Sequence, residues 1–110
     1  MYQIIHMDNC TNRDTYDIYK KEIETKEEAE IRYAEIFALV KECIIEELKL
    51  IITANPEMAP VLQQIISVVS ELEENEEIEL TARDETFLTA GTGYIEFKFL
   101  SRHIILKLED

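Results

Sequence analysis

The sequence predicts an α+β domain in which one antiparallel sheet is covered on one face by a two-helix hairpin. Apolar residues recur with a helical period in the middle of the chain, and on both sides of it they alternate with polar residues, as in half-buried strands. The length of 110 residues is that of a single domain, so we assign residues 1–110 to one folding unit. The predicted order of elements is β-β-α-α-β-(β)-β-β.

The first two predicted elements are strands. Tyr2 to Met7 is led by aromatic and β-branched residues, which favour strands. The polar segment Asp8 to Thr15 is rich in turn formers and is predicted to be a loop. Residues 16–24 fit two structures. A strand over Asp17 to Ile23 is our first prediction, and a helix that begins near Asp14 is the alternative.

The long central helix has the clearest pattern. Thr25 followed by Glu28 has the spacing of a capping box, which starts a helix directly after the second strand. The apolar residues that follow advance mostly by three or four positions, the period of one buried helical face. They are Ala29, Tyr33, Ile36, Phe37, Val40, Ile44, Leu48 and Ile51. The helix is expected to end near Ala54.

A second helix is predicted after a break at Asn55. Asn55 is a favoured N-cap residue, and Pro56 suits the first helical position because its missing N–H would be unpaired there anyway. A second apolar face follows, which consists of Met58, Val61, Leu62, Ile65, Ile66, Val69 and Leu72. Val68 lies beside this face and widens it on the side of Val61.

The last third of the chain is predicted to be strands, because the period of the pattern changes there from 3.6 to 2. The predicted strands are Ile78–Ala82, Tyr94–Phe99, His103–Leu108 and, as a shorter element, Thr86–Thr89. Turns are expected at Ala90–Gly93 and at Ser101–Arg102. The first strands are expected to pair beside the last ones, which would bring the two ends of the chain together.

The composition excludes several classes of function. Asp and Glu number 24 against 11 Lys and Arg, so the net charge is -13. Direct nucleic-acid binding is not expected on this ground, because affinity for phosphates comes mainly from Lys and Arg. No apolar run approaches the roughly 20 residues of a membrane-spanning helix. The N-terminal segment lacks the basic region of a signal peptide, so we expect a cytoplasmic protein.

No arrangement of residues predicts an enzyme, a metal site or a cofactor. The candidate metal ligands are His6, Cys10, Cys43 and His103. They lack the paired spacings of a zinc site, so the histidines are expected at strand edges or on the surface and the cysteines as reduced thiols. No serine or cysteine has the flanking glycines of a nucleophile elbow. Gly91-Thr92-Gly93 is expected between two strands, as a hairpin turn rather than a phosphate loop.

Glutamates concentrate in two segments of the chain. Glu22 to Glu47 contains nine of them, and Glu71 to Glu79 contains six with no basic residue. One interpretation is a solvated helix face together with an acidic loop. The other is a surface shaped for a basic partner, because an acidic face steers toward grooves lined by Lys and Arg. In such a groove the carboxylates would take the positions of nucleic-acid phosphates.

On the second interpretation, both acidic segments contribute to one partner-binding surface. Its glutamates are Glu27, Glu28, Glu35, Glu42, Glu73, Glu74, Glu76 and Glu77. Tyr16 and Tyr19 are candidate aromatic anchors, since tyrosine is enriched at binding hot spots. A role in the core fits these two tyrosines equally well.

The clusters Glu22–Glu47 and Glu71–Glu79 in a small α+β domain without a catalytic motif resemble the phage-encoded inhibitors of bacterial defence, including anti-restriction and anti-CRISPR proteins. The resemblance is one of size and composition. It implies a nucleic-acid mimic that occupies the basic groove of a host defence protein and acts in the cytoplasm of the host.

Two other functions also fit the sequence. The first is a self-associating structural domain, a homodimer formed through an exposed strand edge or through the second helix, where Val68 leaves apolar surface for a partner to cover. The second is a small-molecule binder with its site between the helix hairpin and the sheet.

Overall fold

A single antiparallel sheet of six strands forms one layer of the protein and two helices form the other. The computed structural model describes residues 1–10, 15–81, 87–99 and 102–110, with the backbone alone for residues 9, 10 and 15–21. The strands are β1 (Tyr2–Cys10), β2 (Thr15–Ile23), β3 (Ile78–Thr81), β4 (Phe87–Gly91), β5 (Tyr94–Phe99) and β6 (Arg102–Glu109). The helices are α1 (Lys26–Ala54) and α2 (Ala59–Glu71). The predicted α+β class and the order of elements are confirmed.

The strand order in the sheet is β2-β1-β6-β5-β4-β3, and all neighbours are antiparallel. The first hairpin, β1 with β2, therefore joins the last hairpin, β5 with β6, through the pairing of β1 with β6. In that pairing Ile4 lies opposite Leu108. The expected meeting of the first and last strands is confirmed, and it places Gln3 and Ile4 opposite Glu109 and Leu108.

Helix α1 begins at the predicted position. The Thr25 hydroxyl accepts a hydrogen bond from the Glu28 backbone N–H at 3.2 Å, so Thr25 is the N-cap that the sequence predicts. The helix ends at Ala54, also as expected. Its buried residues are Ala29, Tyr33, Ile36, Phe37, Val40, Ile44 and Leu48, which all belong to the predicted apolar face.

The start of α2 differs from the prediction. A short 3₁₀ turn, Pro56–Met58, comes first, and the α-helix proper begins at Ala59. The side chain of Asn55 makes no capping hydrogen bond; instead its carbonyl accepts from the Met58 N–H at 3.0 Å. After this turn α2 folds back against α1.

The core lies between α1, α2 and the helix-facing side of the sheet. Ile4 from β1, Leu106 from β6 and Phe97 from β5 are completely buried there. Ile44 and Leu48 of α1 and Val69 of α2 close the core from the helix side. Phe97 and Leu106 belong to the alternating apolar residues from which the strands β5 and β6 were predicted.

Several local boundaries correct the predictions. β1 continues through Asp8 to Cys10, which were expected to lie in a loop, because these residues pair with both β2 and β6. Ala90 and Gly91 belong to β4, so the turn before β5 consists of Thr92 and Gly93 alone. Arg102 is the first residue of β6 rather than part of a turn. Ala82, Thr86 and Ser101, which other predictions included, lie outside the described residues.

Candidate interaction surface

All eight glutamates of the predicted surface are exposed. Four of them lie on α1, namely Glu27, Glu28, Glu35 and Glu42. The other four, Glu73, Glu74, Glu76 and Glu77, lie between α2 and β3 in a segment that we call the acidic turn, residues 71–79. Tyr16 and Tyr19 lie in β2 opposite Asn9 and His6, and their side chains are outside the described part of the structure.

The α1 glutamates form a line along the outer side of the helix. Glu28, Glu35 and Glu42 are seven residues apart, so they project in nearly the same direction at intervals of about 10.5 Å. Arg32 donates a hydrogen bond to the Glu35 carboxylate at 2.9 Å, which partly neutralises the middle of the line. Exposed apolar side chains flank it, with Ile31 63% and Leu39 60% exposed. This face is therefore a mixed apolar and acidic surface of modest charge density.

The acidic turn carries much more concentrated charge. It contains six glutamates in nine residues. None of these six forms an ion pair with a basic side chain within the described ranges. Five of the six lie at the end of α2 or between α2 and β3. The hydrogen bonds of a helix or sheet therefore do not fix this segment, and its position depends on contacts with other parts of the protein.

Three contacts hold the acidic turn. The Asn75 side-chain oxygen accepts a hydrogen bond from the Gly93 N–H at 3.0 Å, and Asn75 has the left-handed φ of 71° that this reversal of the chain requires. The Lys41 ammonium donates to the Leu72 carbonyl at 2.5 Å and to the Ser70 carbonyl at 3.3 Å. Leu72 itself is 2% exposed and anchors the turn in the core.

The two acidic groups lie on different sides of the molecule. Glu74 is close enough to Tyr33 for its charge to act on that hydroxyl, and Tyr33 belongs to the buried face of α1. Glu35 is two positions further along the helix, a rotation of about 200°, and therefore projects to the opposite side. The sequence led us to expect that the line on α1 and the acidic turn form one surface. The structure places them on different sides instead.

A cavity of about 320 Å³ lies beside the acidic turn. Its walls come from the start of β1, the first turns of α1, the acidic turn, the turn between β4 and β5, and the end of β6. The lining residues are Tyr2, Lys26, Glu30, Tyr33, Asn75, Thr92, Gly93, Leu108, Glu109 and Asp110. We call it the acidic cavity, because three of its lining residues, Glu30, Glu109 and Asp110, carry carboxylates and only Lys26 among the lining residues carries a basic group.

Tyr33, one of the residues that line the acidic cavity, has a buried hydroxyl group. The residue is 1% exposed, and its hydroxyl oxygen has no hydrogen-bond partner among the described residues. Burial raises the pKa of this hydroxyl above the ordinary tyrosine value, and the Glu74 carboxylate raises it further. A buried polar group without a partner costs roughly 1–3 kcal/mol of stability. The sequence pattern identified Tyr33 as a core residue. Its hydroxyl, a polar group within an apolar stripe, is the one sequence feature that could have identified it as part of a site.

A second, apolar cavity of about 250 Å³ separates α2 from the edge of the sheet. It is lined by Val61, Gln64, Ile65, Val68, Leu80, Thr81, Phe87, Leu88 and Phe97. It lies between the helix hairpin and the sheet, where the small-molecule site of the third sequence-based hypothesis would be. Val61 and Val68 face it from α2, in agreement with the widened apolar face of that helix.

Among the side chains that the structure describes, the two histidines and Cys43 do not assemble into one site. His103 lies on β6 inside the sheet, where its side chain is partly exposed and its Nε2 is 2.6 Å from a Glu96 carboxylate oxygen. Cys43 is a free thiol on α1 whose pKa is raised chiefly by desolvation. Within residues 1–10, 15–81, 87–99 and 102–110, no group of three or more His, Cys, Asp or Glu side chains is placed to hold a metal ion.

Arg102 joins three elements near Cys43. Its guanidinium donates two hydrogen bonds to Asp8 of β1, at 2.6 and 3.0 Å, and one to Glu47 of α1 at 3.0 Å. The hydrogen bond with Asp8 raises the pKa of Arg102 further above its already high value. This cluster ties the sheet to α1 and is a structural ion pair.

The fold and the surface together define an α+β domain with a firmly held acidic turn and an acidic cavity beside it. Comparisons with protein-family models, with curated proteins and with solved structures found no match for this chain. In the part of the chain that the structure describes, neither helix combines the length and hydropathy required to cross a membrane.

Proposed function

We propose that this protein is a non-enzymatic interaction protein that binds a basic, nucleic-acid-binding groove on another protein, with the acidic turn as its main contact. The observation that carries the proposal is a dense group of exposed carboxylates on a segment that is hydrogen-bonded to α1 and to the turn between β4 and β5. Such a surface is built for contact with Lys and Arg, which are the residues that line grooves for DNA and RNA.

The charge density of the acidic turn supports mimicry of a nucleic acid. One strand of duplex DNA carries a phosphate about every 3.4 Å along the helix axis. Nine fully extended residues span at most roughly 30 Å, and the six glutamates divide this span into five intervals, so their mean spacing is about 6 Å or less. The line on α1, with intervals of about 10.5 Å, is too sparse for that role and would serve as a secondary contact.

The rigidity of the turn supports the same function. Binding costs free energy when loops and side chains become ordered, and a surface that is ordered before the encounter avoids part of that cost. Asn75 and Lys41 hold the backbone of the turn from two directions. The glutamate side chains remain free to adapt, while the backbone that carries them does not have to rearrange.

Within this class we propose a host defence protein as the partner and inhibition by occupation of its groove as the mechanism. The resemblance in size and composition to phage-encoded anti-restriction and anti-CRISPR proteins supports this narrower proposal. It predicts that the protein and a nucleic acid compete for the same basic side chains, and that salt weakens the complex by screening them.

The test is a capture experiment with matched variants. The tagged protein is incubated with bacterial lysate at low salt, and the retained proteins are identified and challenged with duplex DNA and with RNA. The variant E73Q/E74Q/E76Q/E77Q should lose the partner. The variant E27Q/E28Q/E35Q/E42Q, which changes the net charge by the same amount, should retain most of it. Equal losses in both variants, or a partner that neither DNA nor RNA displaces, would contradict the proposal.

Self-association is a second candidate, favoured by the apolar cavity beside α2. Val61 is 56% exposed at its mouth, and a second copy of the chain could cover it. Sedimentation at low micromolar concentration distinguishes the two functions, because a strict monomer excludes a homodimer and leaves the acidic proposal untouched.

A further inference from the structure

We infer that the acidic cavity receives a guanidinium or ammonium group from a basic side chain of the partner, so that one Arg or Lys of the partner inserts between α1, the acidic turn and the end of β6. This inference rests on the proposed function, since it names the contact by which the acidic surface recognises its partner. It assigns one side chain of the partner to the acidic cavity, in addition to the general attraction between opposite charges.

The charges of the cavity wall match a cation. Glu30, Glu109 and Asp110 line it, and Glu74 of the acidic turn lies near Tyr33. Lys26 is the basic residue of the wall, and its Nζ is 4.0 Å from the Glu30 carboxylate, at the outer limit of an ion pair. Both side chains of that pair are more than half exposed, so the pair is weak and an incoming cation can replace Lys26.

The unpartnered hydroxyl of Tyr33 is a second, independent indication of a ligand. Its oxygen can accept a hydrogen bond, and a guanidinium or ammonium group has N–H donors and no acceptor. A cation that reaches it would therefore satisfy a polar group that the described residues leave without a partner.

The size and construction of the cavity suit a single side chain. A volume of about 320 Å³ is at the lower end of the range for ligand sites, roughly 300–1,000 Å³. Two hydrogen bonds keep the cavity open: Gly93 donates to Asn75 at 3.0 Å, and Leu108 donates to the Gly93 carbonyl at 2.7 Å. A Cβ at Gly93 would lie 3.3 Å from the Leu108 carbonyl oxygen and the φ there is 72°, so a side chain would be strained at this wall and glycine is favoured.

The first test uses argininamide as a probe for an inserted side chain. Amide chemical shifts of the ¹⁵N-labelled protein are followed by NMR during a titration at constant ionic strength. Insertion predicts saturable shifts at Thr92, Gly93 and Asn75. Shifts that grow linearly and spread over all glutamate-rich segments would show general charge attraction only, and would overturn the inference.

Three variants test the contacts. E30Q/E109Q should weaken argininamide binding about fivefold or more, whereas the control E35Q/E42Q, with the same change in net charge on the far side of α1, should leave it unchanged. Y33F should weaken binding about two- to tenfold without lowering thermal stability. Binding that is unaffected by Y33F and by E30Q/E109Q would overturn the inference.

Two further experiments test whether the cation is a free polyamine and whether this inference can fail while the proposed function holds. Spermidine tests a free polyamine as the ligand: if it binds the cavity far more tightly than argininamide and leaves the complex with the captured partner intact, the cation does not come from the partner and the inference is wrong. Partner capture separates the inference from the proposed function. If E30Q/E109Q still captures the partner while E73Q/E74Q/E76Q/E77Q does not, the proposed function stands and insertion of a partner side chain into the acidic cavity is excluded.

Discussion

Asn75 and Gly93 are joined by a hydrogen bond of 3.0 Å, from the Gly93 N–H to the Asn75 side-chain oxygen, across 18 positions of the sequence. Both residues have a left-handed φ, 71° for Asn75 and 72° for Gly93. The contact locks the acidic turn to the turn between β4 and β5. It thereby determines where the densest negative charge of the molecule is presented.

Substitution of Asn75 should loosen the acidic turn. N75A loses the hydrogen bond and places an alanine in a left-handed conformation, so we expect a loss of about 1–2.5 kcal/mol in the free energy of unfolding. N75G loses the same hydrogen bond but tolerates the conformation, and should cost less. Urea unfolding followed by circular dichroism measures both variants. The argument fails if N75A is as stable as the wild type.

Removal of the Lys41 ammonium should also release the turn. K41M keeps an apolar stem next to Phe37 but leaves the Ser70 and Leu72 carbonyls without their donor, at a cost of about 1–3 kcal/mol. Hydrogen exchange of the amides in residues 71–77 should become faster. K49M is the control, because Lys49 is exposed on α1 and forms no ion pair within the described ranges. Equal exchange rates in the two variants would contradict this role of Lys41.

Arg102 and Asp8 should be energetically coupled. R102M strands two partly buried carboxylates, and we expect it to cost about 1–3 kcal/mol, a value between those of exposed and buried pairs. D8N keeps the shape of the partner and removes its charge. A double-mutant cycle from unfolding curves should give a coupling energy of about 1 kcal/mol or more. Additive effects would mean that the two residues stabilise the fold separately.

Stability should fall at alkaline pH because of Tyr33. Its pKa is raised in the folded protein, so the unfolded chain loses this proton first, near the ordinary tyrosine value of about 10. The unfolded state then binds fewer protons than the folded state, and the free energy of unfolding decreases by up to about 1.4 kcal/mol per pH unit above that value. The contribution is fully present below about pH 10.

The control for this pH dependence is Y33F, which has no ionisable hydroxyl at the same position. Urea unfolding between about pH 8 and pH 11 should show a shallower decrease for Y33F than for the wild type. The raised pKa of the Cys43 thiol acts in the same direction at lower pH, so both proteins should also carry C43S. Identical slopes would mean that Tyr33 ionises in the folded protein as readily as in the unfolded one.

Much of the fold could be predicted because it depends on local patterns. The apolar stripe from Ala29 to Leu48 and the cap at Thr25 are properties of neighbouring residues, and the structure has both where the sequence places them. Prediction was wrong where a distant contact decides the conformation. Asp8 to Cys10 look like a loop in isolation, but pairing with β2 and β6 extends them, and Arg102 from the far end of the chain binds Asp8.

The candidate site was predictable only in part, for the same reason. Exposure of the four α1 glutamates follows from their positions between the apolar residues of that helix, and exposure of the other four follows from the polar composition of residues 73–77. The acidic cavity has no sequence signature, because its walls come from five separate segments that meet only when β1 pairs with β6. Tyr33 reads as an ordinary core residue until its neighbours are known.

The sequence by itself determined the α+β class, the helix–strand succession, the burial of one face of α1 and the excess of negative charge, since periodicity and composition are sufficient for these. Tertiary structure alone decided where that charge lies. The folding back of α2 and the bond between Asn75 and Gly93 place the acidic turn about half a rotation of α1 away from the line of Glu28, Glu35 and Glu42. The physical reason is that direction and distance between remote segments depend on how elements pack, which no local pattern contains.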